Sequence, residues 1–240
     1  MNTVIDTMMA HRSIRAFTPE TITTEQLETI LAAGISASSS SFLQTTSIIR
    51  VTDPVKRKAL AAFAGGQNYV ETAAEFLVFC IDYQRHYQLS NQVQPEFTEL
   101  TLIGAIDAGI MAQNTLLAAE SLGLGGVYIG GLRNSPKEVD ELLGLPKYCA
   151  MMFGMCLGHP DQEPQIKPRL PQKVMIHQDS YQALSTDDIT EYDQQTAHYY
   201  QTRVSNQKSG SWSDHIAERL GKESRPFIKD YLNSKGLATK

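Results

Sequence analysis

The segment EFTELTLIGAIDAGIMAQNTLLAAESL, residues 96–122, is apolar on nearly every side when it is drawn as a helix. Small residues at 104, 105, 108, 109 and 112 alternate with large ones, and they would let neighbouring elements approach the helix closely. We therefore predict a long helix, buried at the centre of the protein. Asp107 and Glu120 interrupt the apolar run, so we do not expect this segment or any other to span a membrane.

Short apolar runs on both sides of this helix predict strands. They lie at 47–52, 76–81, 127–129 and 151–157. Helical periodicity and cap signals predict further helices at 3–10, 23–33, 54–64, 137–143, 187–202, 212–220 and 226–235. Because the strands are few and do not alternate regularly with the helices, we predict an α+β fold with helices around a small sheet. A length of 240 residues is compatible with one large domain over residues 1–240.

The charge of the chain is unevenly distributed. The net charge is -5, but residues 201–240 contain eight Lys or Arg against four acids and carry +4, so the first 200 residues carry -9. This balance argues against nucleic acid as a partner, whereas a basic segment on an acidic body can hold a small phosphorylated ligand.

The N-terminal sequence and the cysteines predict the cellular compartment. The N-terminal residues 1–6 show neither a basic patch nor an apolar run, so we do not expect a secretory signal. Cys80, Cys149 and Cys156 are widely separated, and we predict three buried free thiols in a reducing cytosol. We therefore expect a cytoplasmic protein.

A glycine-rich segment, GLGGVYIGG at 123–131, is the first candidate for chemistry. It does not match G-x-G-x-x-G, and it follows a helix and enters a strand, which is the reverse of the dinucleotide-binding order. We interpret its first three glycines as a helix terminus. Gly130 and Gly131, at the end of the predicted strand, would let a ligand ring approach backbone N–H groups, although a structural role is equally open.

Two cationic segments are candidates for an anion site. His11-Arg12-Ser13-Ile14-Arg15 offers two guanidiniums and a hydroxyl beside an apolar Ile14, as a phosphate requires. The other interpretation is that these cations compensate a helix C-terminus. Lys167 and Arg169 lie on a backbone stiffened by prolines at 168 and 171, which favours an anion site or a surface loop about equally.

Two polar bends complete the candidates. Ser38 to Ser41, followed by Phe42, offers hydroxyls and amides that suit the polar edge of a ligand, although a solvated loop is the more frequent meaning. Gly65-Gly66-Gln67 forms another bend with one amide side chain. The sequence contains no H-E-x-x-H, C-x-x-C, G-x-S-x-G or G-x-x-x-x-G-K-[ST], so metallohydrolase, thioredoxin-like, serine hydrolase and P-loop functions have no support, and we predict no metal site.

In their order and spacing, these motifs resemble the nitroreductase superfamily. They are HRSIR at 11–15, SSSS at 38–41, GGQ at 65–67, GLGGVYIGGLRN at 123–134 and KPRLP at 167–171. More narrowly, the sequence is similar to the NADPH-dependent oxygen-insensitive nitroreductases and NADPH:flavin oxidoreductases of Gram-negative bacteria, nearly from end to end.

The resemblance implies an α+β homodimer with a small, mostly antiparallel sheet and tightly bound FMN at the interface. A basic helical extension, about residues 180–240, would reach the partner subunit. No catalytic side chain is implied, because bound flavin carries the chemistry. The residues implied to bind FMN are His11, Arg12, Ser13, Ile14, Arg15, Ser39, Ser40 and Ser41 from the partner, Gln67, Tyr128, Ile129, Gly130, Gly131, Lys167, Pro168 and Arg169.

The implied reaction is ping-pong: NADPH reduces FMN and leaves, and a nitroaromatic, a quinone or free flavin then takes the electrons. Phe42 would lie on the substrate side of the flavin. Arg203 and Lys208, in the polar stretch RVSNQK, and Arg225 would contact the nucleotide, with the stretch acting as a mobile clamp; a solvated connector between helices is the alternative. A flavin-binding carrier or sensor without turnover is the second hypothesis that the sequence leaves open.

Overall fold

The computed structural model describes residues 2–203 and 207–240 of the chain. Their contacts divide the chain into two compact units, the first formed by Met1–Glu163 with Arg225–Lys240 and the second by Pro164–Ser224. The single domain expected over residues 1–240, with an extension from about residue 180, stays a prediction.

A four-stranded sheet lies at the centre of the first unit. Its strand order is β1-β2-β4-β3, and every neighbouring pair is antiparallel, which confirms the small antiparallel sheet that the resemblance implies. The strands are β1 Thr46–Arg50, β2 Glu75–Asp82, β3 Gly125–Ile129 and β4 Cys149–Gly158.

Strand β2 divides the core into two layers. Phe76, Val78 and Cys80 enter one apolar cluster, whereas Leu77 and Phe79 enter the cluster on the other face of the sheet. This alternation follows from the period of two of a strand, and burial on both faces explains why the run reads as continuously apolar. The three cysteines are free and buried, as predicted.

Helices cover both faces of the sheet. Those of the first unit are α1 Thr3–Met9, α2 Thr24–Ile35, α3 Pro54–Phe63, α4 Tyr69–Thr72, α5 Gln84–Leu89, α6 Thr98–Ser121, α7 Pro136–Leu143 and α11 Ile228–Ser234. The predicted capping box begins α2: the Gln26 N–H donates to Thr23 Oγ1 at 3.2 Å, and the Thr23 N–H donates to Gln26 Oε1 at 3.1 Å. The sequence did not predict α4 and α5.

Helix α6 corrects the prediction of burial on all sides. Its buried face consists of Gly104, Asp107, Ala108, Ala112, Thr115, Leu116 and Ala119. Leu102 and Ile106 are more than half exposed. The helix is also long and apolar enough, by length and composition alone, to cross a membrane, contrary to the expectation from its two acids. A core helix meets the same criteria, and here Gly104 packs so closely on β2 that a Cβ would lie 2.7 Å from Ile81 Cγ2.

The second unit is helical and is described by itself. It contains α8 Gln172–Met175, α9 Thr186–Thr202 and α10 Trp212–Leu220. Helix α10 begins with a capping box in which Asp214 Oδ2 accepts from the Ser211 N–H at 2.9 Å. Tyr192 of α9 packs edge-on against Trp212 at 5.6 Å between ring centroids, which joins the two longer helices.

Helix α11 and the residue that follows it are fastened to α7 and β4, within the first unit, by a buried polar cluster. Lys235 Nζ lies 2.7 Å from Asp140 Oδ2 and donates to the Leu145 carbonyl at 2.9 Å. The Tyr231 hydroxyl donates to Asp140 Oδ1 at 2.8 Å and accepts from the Met151 N–H at 3.3 Å. Burial raises the pKa of Asp140, and the hydrogen bonds from Lys235 and Tyr231 oppose that rise.

Candidate functional site

The predicted phosphate segment, residues 11–15, is extended beside the first residues of β3. Ser13 forms a parallel bridge to Gly126, and the Ile14 N–H donates to the Gly126 carbonyl at 3.0 Å. Ile14 is buried, and a Cβ at Gly125 would lie 2.5 Å from its Cγ1. The three-glycine helix terminus is therefore only partly right: Gly123, with φ +80°, ends the helix, whereas Gly125 lies in β3 to admit Ile14.

Side chains of this segment already have partners within the protein. His11 Nδ1 lies 2.6 Å from Glu120 Oε1, and Arg12 Nη1 donates to Glu163 Oε1 at 3.0 Å. The Arg12 pair contributes little, because the Glu163 side chain is 86% exposed. A cleft of about 590 Å³ beside Arg12 is lined by Glu120, Asp161 and Glu163, so phosphate would be repelled there. The pair with Glu163 uses one of the five guanidinium N–H groups of Arg12, so the others can still donate to a phosphate.

Gln67 and Gly131, predicted to meet one flavin ring, are in direct contact. The Gln67 amide donates to the Ala64 carbonyl at 2.8 Å and accepts from the Tyr69 hydroxyl at 2.6 Å, so both of its ends are held. A Cβ at Gly131 would lie 2.5 Å from Gln67 Nε2 and 2.5 Å from the Ala64 carbonyl oxygen. Only glycine allows this approach of the strand end to the 65–67 bend.

Arg15 links the N-terminal segment to the same bend. Burial raises the pKa of Tyr69, and the charge and hydrogen bond of Arg15 oppose that rise. Since Tyr69 donates to Gln67, the sequence His11–Arg15, the 65–67 bend and the end of β3 form one connected region of the first unit.

The turn after β3 adds two cations to this region. Arg225 donates from Nε and Nη2 to Asn134 Oδ1 at 3.0 and 2.8 Å. Arg133 donates to the Met152 carbonyl, and its pKa is lowered by burial and by the charge of Arg225. The predicted nucleotide contact Arg225 is therefore held by Asn134, the last residue of the turn that follows β3. In the same turn, a Cβ added at Gly130 would lie 3.3 Å from Arg133 Nη2. Tyr128 points its hydroxyl to Gln113, at 3.2 Å.

The serine loop has a different set of contacts. Within the described residues, no hydrogen bond joins Ser39, Ser40 or Ser41 to the 11–15 segment or to Gln67; their partners lie on α6 and in the loop itself. Phe42 is 80% exposed in the single chain, as we expect of a residue on the substrate side of a site. The prediction that this loop serves a site in the partner subunit stays a prediction.

The remaining predicted cations belong to the second unit. Lys167 Nζ lies 5.3 Å from the centroid of the Tyr200 ring, and the Arg203 guanidinium lies 5.8 Å from the same centroid. The Lys208 N–H donates to the Tyr200 carbonyl at 3.4 Å. Two predicted anion contacts, Lys167 and Arg203, thus meet at one tyrosine. Residues 204–206 of the predicted clamp lie outside the described residues.

The backbone of the 167–169 segment is anchored within the same unit. The Tyr192 hydroxyl donates to the Pro168 carbonyl at 3.2 Å, and Arg169 Nη1 donates to the Lys167 carbonyl at 2.7 Å. The Arg169 charge lowers the pKa of Tyr192, against a larger rise from burial. This anchoring supports the interpretation of a stiff cationic segment.

Sequence reasoning missed Tyr69, Asp107 and Asn134. Tyr69 follows Gln67 by two residues, and Asn134 ends the glycine-rich motif, so proximity in the chain was the available signal. Asp107 is a charged residue within an apolar helix, which signals a buried hydrogen-bonded group.

We expect Gly131→Ala to lower the free energy of unfolding by about 1–3 kcal/mol, because the added methyl group overlaps backbone and displaces the Gln67 amide. Chemical denaturation measures the effect. Gly130→Ala is the matched control, since its Cβ would meet only the movable end of Arg133 at 3.3 Å. Equal losses in the two variants would show that the contact with Gln67 is not what requires glycine.

Comparison with known proteins gives matches along the whole chain. The model of the nitroreductase family matches residues 8–159, and that of the nitroreductase family C-terminal domain matches residues 167–240. The chain is 65% identical to the NADPH-flavin oxidoreductase of Vibrio harveyi, covering 99% of both proteins. It is 51% identical to the oxygen-insensitive NADPH nitroreductase of Salmonella typhimurium, covering all of both.

Solved structures agree in fold over the same length. The crystal structure of nitroreductase A from Vibrio parahaemolyticus superposes with a TM-score of 0.96 at 62% identity, with full coverage of both chains. The NADPH:FMN oxidoreductase from Vibrio harveyi, solved with NAD+, superposes with a TM-score of 0.94 at 62% identity, also with full coverage.

Proposed function

The chain belongs to the nitroreductase family and is an NADPH-dependent oxidoreductase, and from that premise we propose that it holds FMN between two copies of itself. The family membership confirms the resemblance inferred from the motifs. The proposed enzyme is a cytoplasmic homodimer that takes hydride from NADPH and reduces nitroaromatics, quinones or free flavin. Each chain would act as one FMN-binding domain, with the segment from about residue 180 reaching the partner.

The contact of Gln67 with Gly131 is the observation that supports this proposal most strongly. Counting partners among residues 2–203 and 207–240, the Gln67 amide keeps one N–H and one lone pair unused. They lie beside a strand end where no side chain intervenes, which suits the polar edge of a flat ring. The donor types also suit the phosphate of FMN: the first unit offers the guanidiniums of Arg12 and Arg15. Taken by itself, the second unit offers cations of the same kind in Lys167 and Arg169. The residues present therefore fit the cofactor.

Bound FMN would supply the hydride chemistry, accepting two electrons from NADPH and passing them to the acceptor. The chain's own residues would bind the flavin, orient its ring and stabilise its reduced form. Gln67 orients the ring edge, and cations near the ring stabilise negative charge that develops on reduction. Arg133 and Arg225, held by the Met152 carbonyl and by Asn134, are fixed charges at the end of β3. No side-chain acid is required for hydride transfer itself.

Phe42, at the exposed end of the serine loop, indicates the general class of electron acceptor. A phenyl ring that is 80% exposed offers a stacking surface for any planar acceptor, so it favours aromatic substrates without separating nitro compounds from quinones and flavins. The ratio of turnover on free FMN to turnover on a nitrofuran measures that preference.

If two chains share one site, FMN binding and dimerisation are coupled. We expect dilution of the holoprotein to release FMN and to dissociate the dimer over the same concentration range, and added FMN to shift dissociation to lower protein concentration. Flavin fluorescence and light scattering, recorded on the same samples, measure the two events. A stable monomer that retains FMN would contradict the shared site.

A further inference from the structure

The loop between α2 and β1 carries unusual backbone conformations. Ser41, Phe42 and Gln44 have φ values of 48°, 59° and 55°, in the left-handed region that residues other than glycine seldom adopt. Three such residues within four positions are kept only where surrounding contacts determine the conformation. The contacts of this loop therefore identify what sets its shape.

Asp107, near the middle of α6, provides those contacts on one side. Its carboxylate accepts from Ser39 Oγ at 2.7 Å, from the Ser40 N–H at 3.1 Å and from Thr45 Oγ1 at 3.0 Å. Asp107 is 4% exposed and Thr45 is fully buried. The Gln44 N–H donates to Ser39 Oγ at 2.7 Å, so the residues at both ends of the strained turn are tied to one carboxylate.

Helix α5 holds the other side of the loop through carbonyl groups. Arg85 Nη2 donates to the Gln44 carbonyl at 3.1 Å and to the Thr46 carbonyl at 2.7 Å. His86 Nε2 lies 2.6 Å from the Leu43 carbonyl oxygen. Because these contacts do not involve Asp107, loss of its carboxylate would leave the carbonyls of residues 43, 44 and 46 anchored. It would free Ser39, Ser40 and the Thr45 hydroxyl.

A carboxylate is suited to this task, because it has no donor and has lone pairs for all three incoming hydrogens. Ser39 has no hydroxyl hydrogen left for a ligand, since it donates to Asp107. In contrast, Ser40 and Ser41 are exposed, and no hydrogen bond to either hydroxyl is found in the part of the chain that the structure describes. Asp107 thus holds the Ser40 N–H, next to two exposed serines whose hydroxyls remain available to a ligand.

We propose that Asp107 is a positioning residue that sets the conformation in which Ser40 and Ser41 receive the FMN of the partner subunit, with Ser39 belonging to the scaffold. This inference rests on the proposed function. Asp107 does not contact the cofactor; it acts through the loop, and it therefore controls how long FMN stays in a site formed with another chain.

The test is the rate of FMN release from purified dimeric holoprotein, followed by flavin fluorescence after dilution. We expect release from Asp107→Ala to be about ten- to a hundredfold faster than from wild type, since three hydrogen bonds are lost. Asp107→Asn should be intermediate, because one oxygen still accepts from the Ser40 N–H and the hydroxyls of Ser39 and Thr45 can rotate to accept from the new amide. Thr45→Val, which removes one donor and keeps the shape, should accelerate release about threefold.

Asp140→Asn is the matched control. Asp140 is another largely buried carboxylate with hydrogen-bond donors, and its loss should lower the unfolding temperature of the apoprotein without changing FMN release. Thermal unfolding of every apo variant separates stability from release. Equal release rates for wild type, Asp107→Ala and Thr45→Val, or an equal acceleration in Asp140→Asn, would overturn this inference. Failure of wild type to bind FMN would overturn the proposed function as well.

Discussion

Lys235→Met is expected to lower the free energy of unfolding by about 3 kcal/mol at neutral pH. The Lys235 ammonium lies 2.7 Å from Asp140 Oδ2, and both side chains are at most 13% exposed. Methionine keeps most of the side-chain volume but leaves a buried carboxylate without its cation. Urea denaturation of the apoprotein at neutral pH measures the loss.

The free energy of unfolding lost in Lys235→Met should depend on pH, and the environment of Asp140 determines whether this loss grows or shrinks as the pH falls. Burial already raises its pKa, and removal of Lys235 removes an interaction that lowers it. The variant's Asp140 therefore binds a proton more readily in the folded state than in the unfolded state, so the folded variant gains stability relative to wild type as the pH falls toward that pKa. We expect a smaller difference at about pH 5 than at neutral pH.

Lys229→Met is the control, because Lys229 is exposed on α11, the helix that Lys235 caps at its C-terminal end. It should change stability by no more than about 0.5 kcal/mol. Equal losses in the two lysine variants, or a loss in Lys235→Met that grows with acid, would contradict the role given to the buried pair.

Arg203→Ala is expected to lower kcat/KM with NADPH by about tenfold to a hundredfold, because a guanidinium paired with the 2′-phosphate contributes about 1.5–3 kcal/mol. NADH lacks that phosphate, so its kcat/KM should change only slightly. The Arg203 guanidinium lies 5.7 and 5.8 Å from the ring centroids of Tyr199 and Tyr200, which holds the charge in place. Steady-state kinetics with both nucleotides measure the effect.

Salt gives a second readout of the same contact. Raising the ionic strength should weaken NADPH use in wild type and much less in Arg203→Ala, because an exposed ion pair is screened. Arg219→Ala, which removes an exposed cation from the same unit, should leave the preference for NADPH unchanged. Equal losses with NADPH and NADH would show that Arg203 supports the fold or the flavin instead.

Local signals predicted most elements of the fold. Thr23 with Gln26 marked the start of α2, and Pro54 after Asp53 marked the start of α3, where the Asp53 carboxylate accepts from the Val55 N–H. The residues that make up each signal lie within a few positions of one another, so the sequence alone is enough to recognise the start of the helix. Helix α5 was missed because it is only six residues long, too short to show an apolar periodicity, and its N-cap Tyr83 gives no cap signal either.

The exposure of α6 was beyond sequence reasoning for a physical reason. A helix that is apolar on every side has no periodicity to mark which face packs on the sheet, and Leu102 and Ile106 resemble core residues as well as surface ones. The same applies to the glycines of β3: composition does not distinguish a glycine that ends a helix from one that admits Ile14.

The candidate site was predictable as a set of segments but not as a geometry. Gln67 and Gly131 are 64 positions apart in numbering, and only the fold brings the amide to the strand end. Likewise, Asp107 lies 68 residues from Ser39, so neither residue signals the other. Long-range contacts of this kind depend on how whole helices and strands pack. Local residue patterns do not identify which two distant residues will meet.

Anaerobic mixing of the yellow holoprotein with a slight excess of NADPH, followed by absorbance in the visible flavin band, tests the proposed oxidoreductase most directly. We expect the band to bleach as the bound flavin is reduced, and a nitrofuran or a quinone added afterwards to restore it. A band that persists with NADPH would contradict the proposed oxidoreductase and would favour a flavin carrier or sensor.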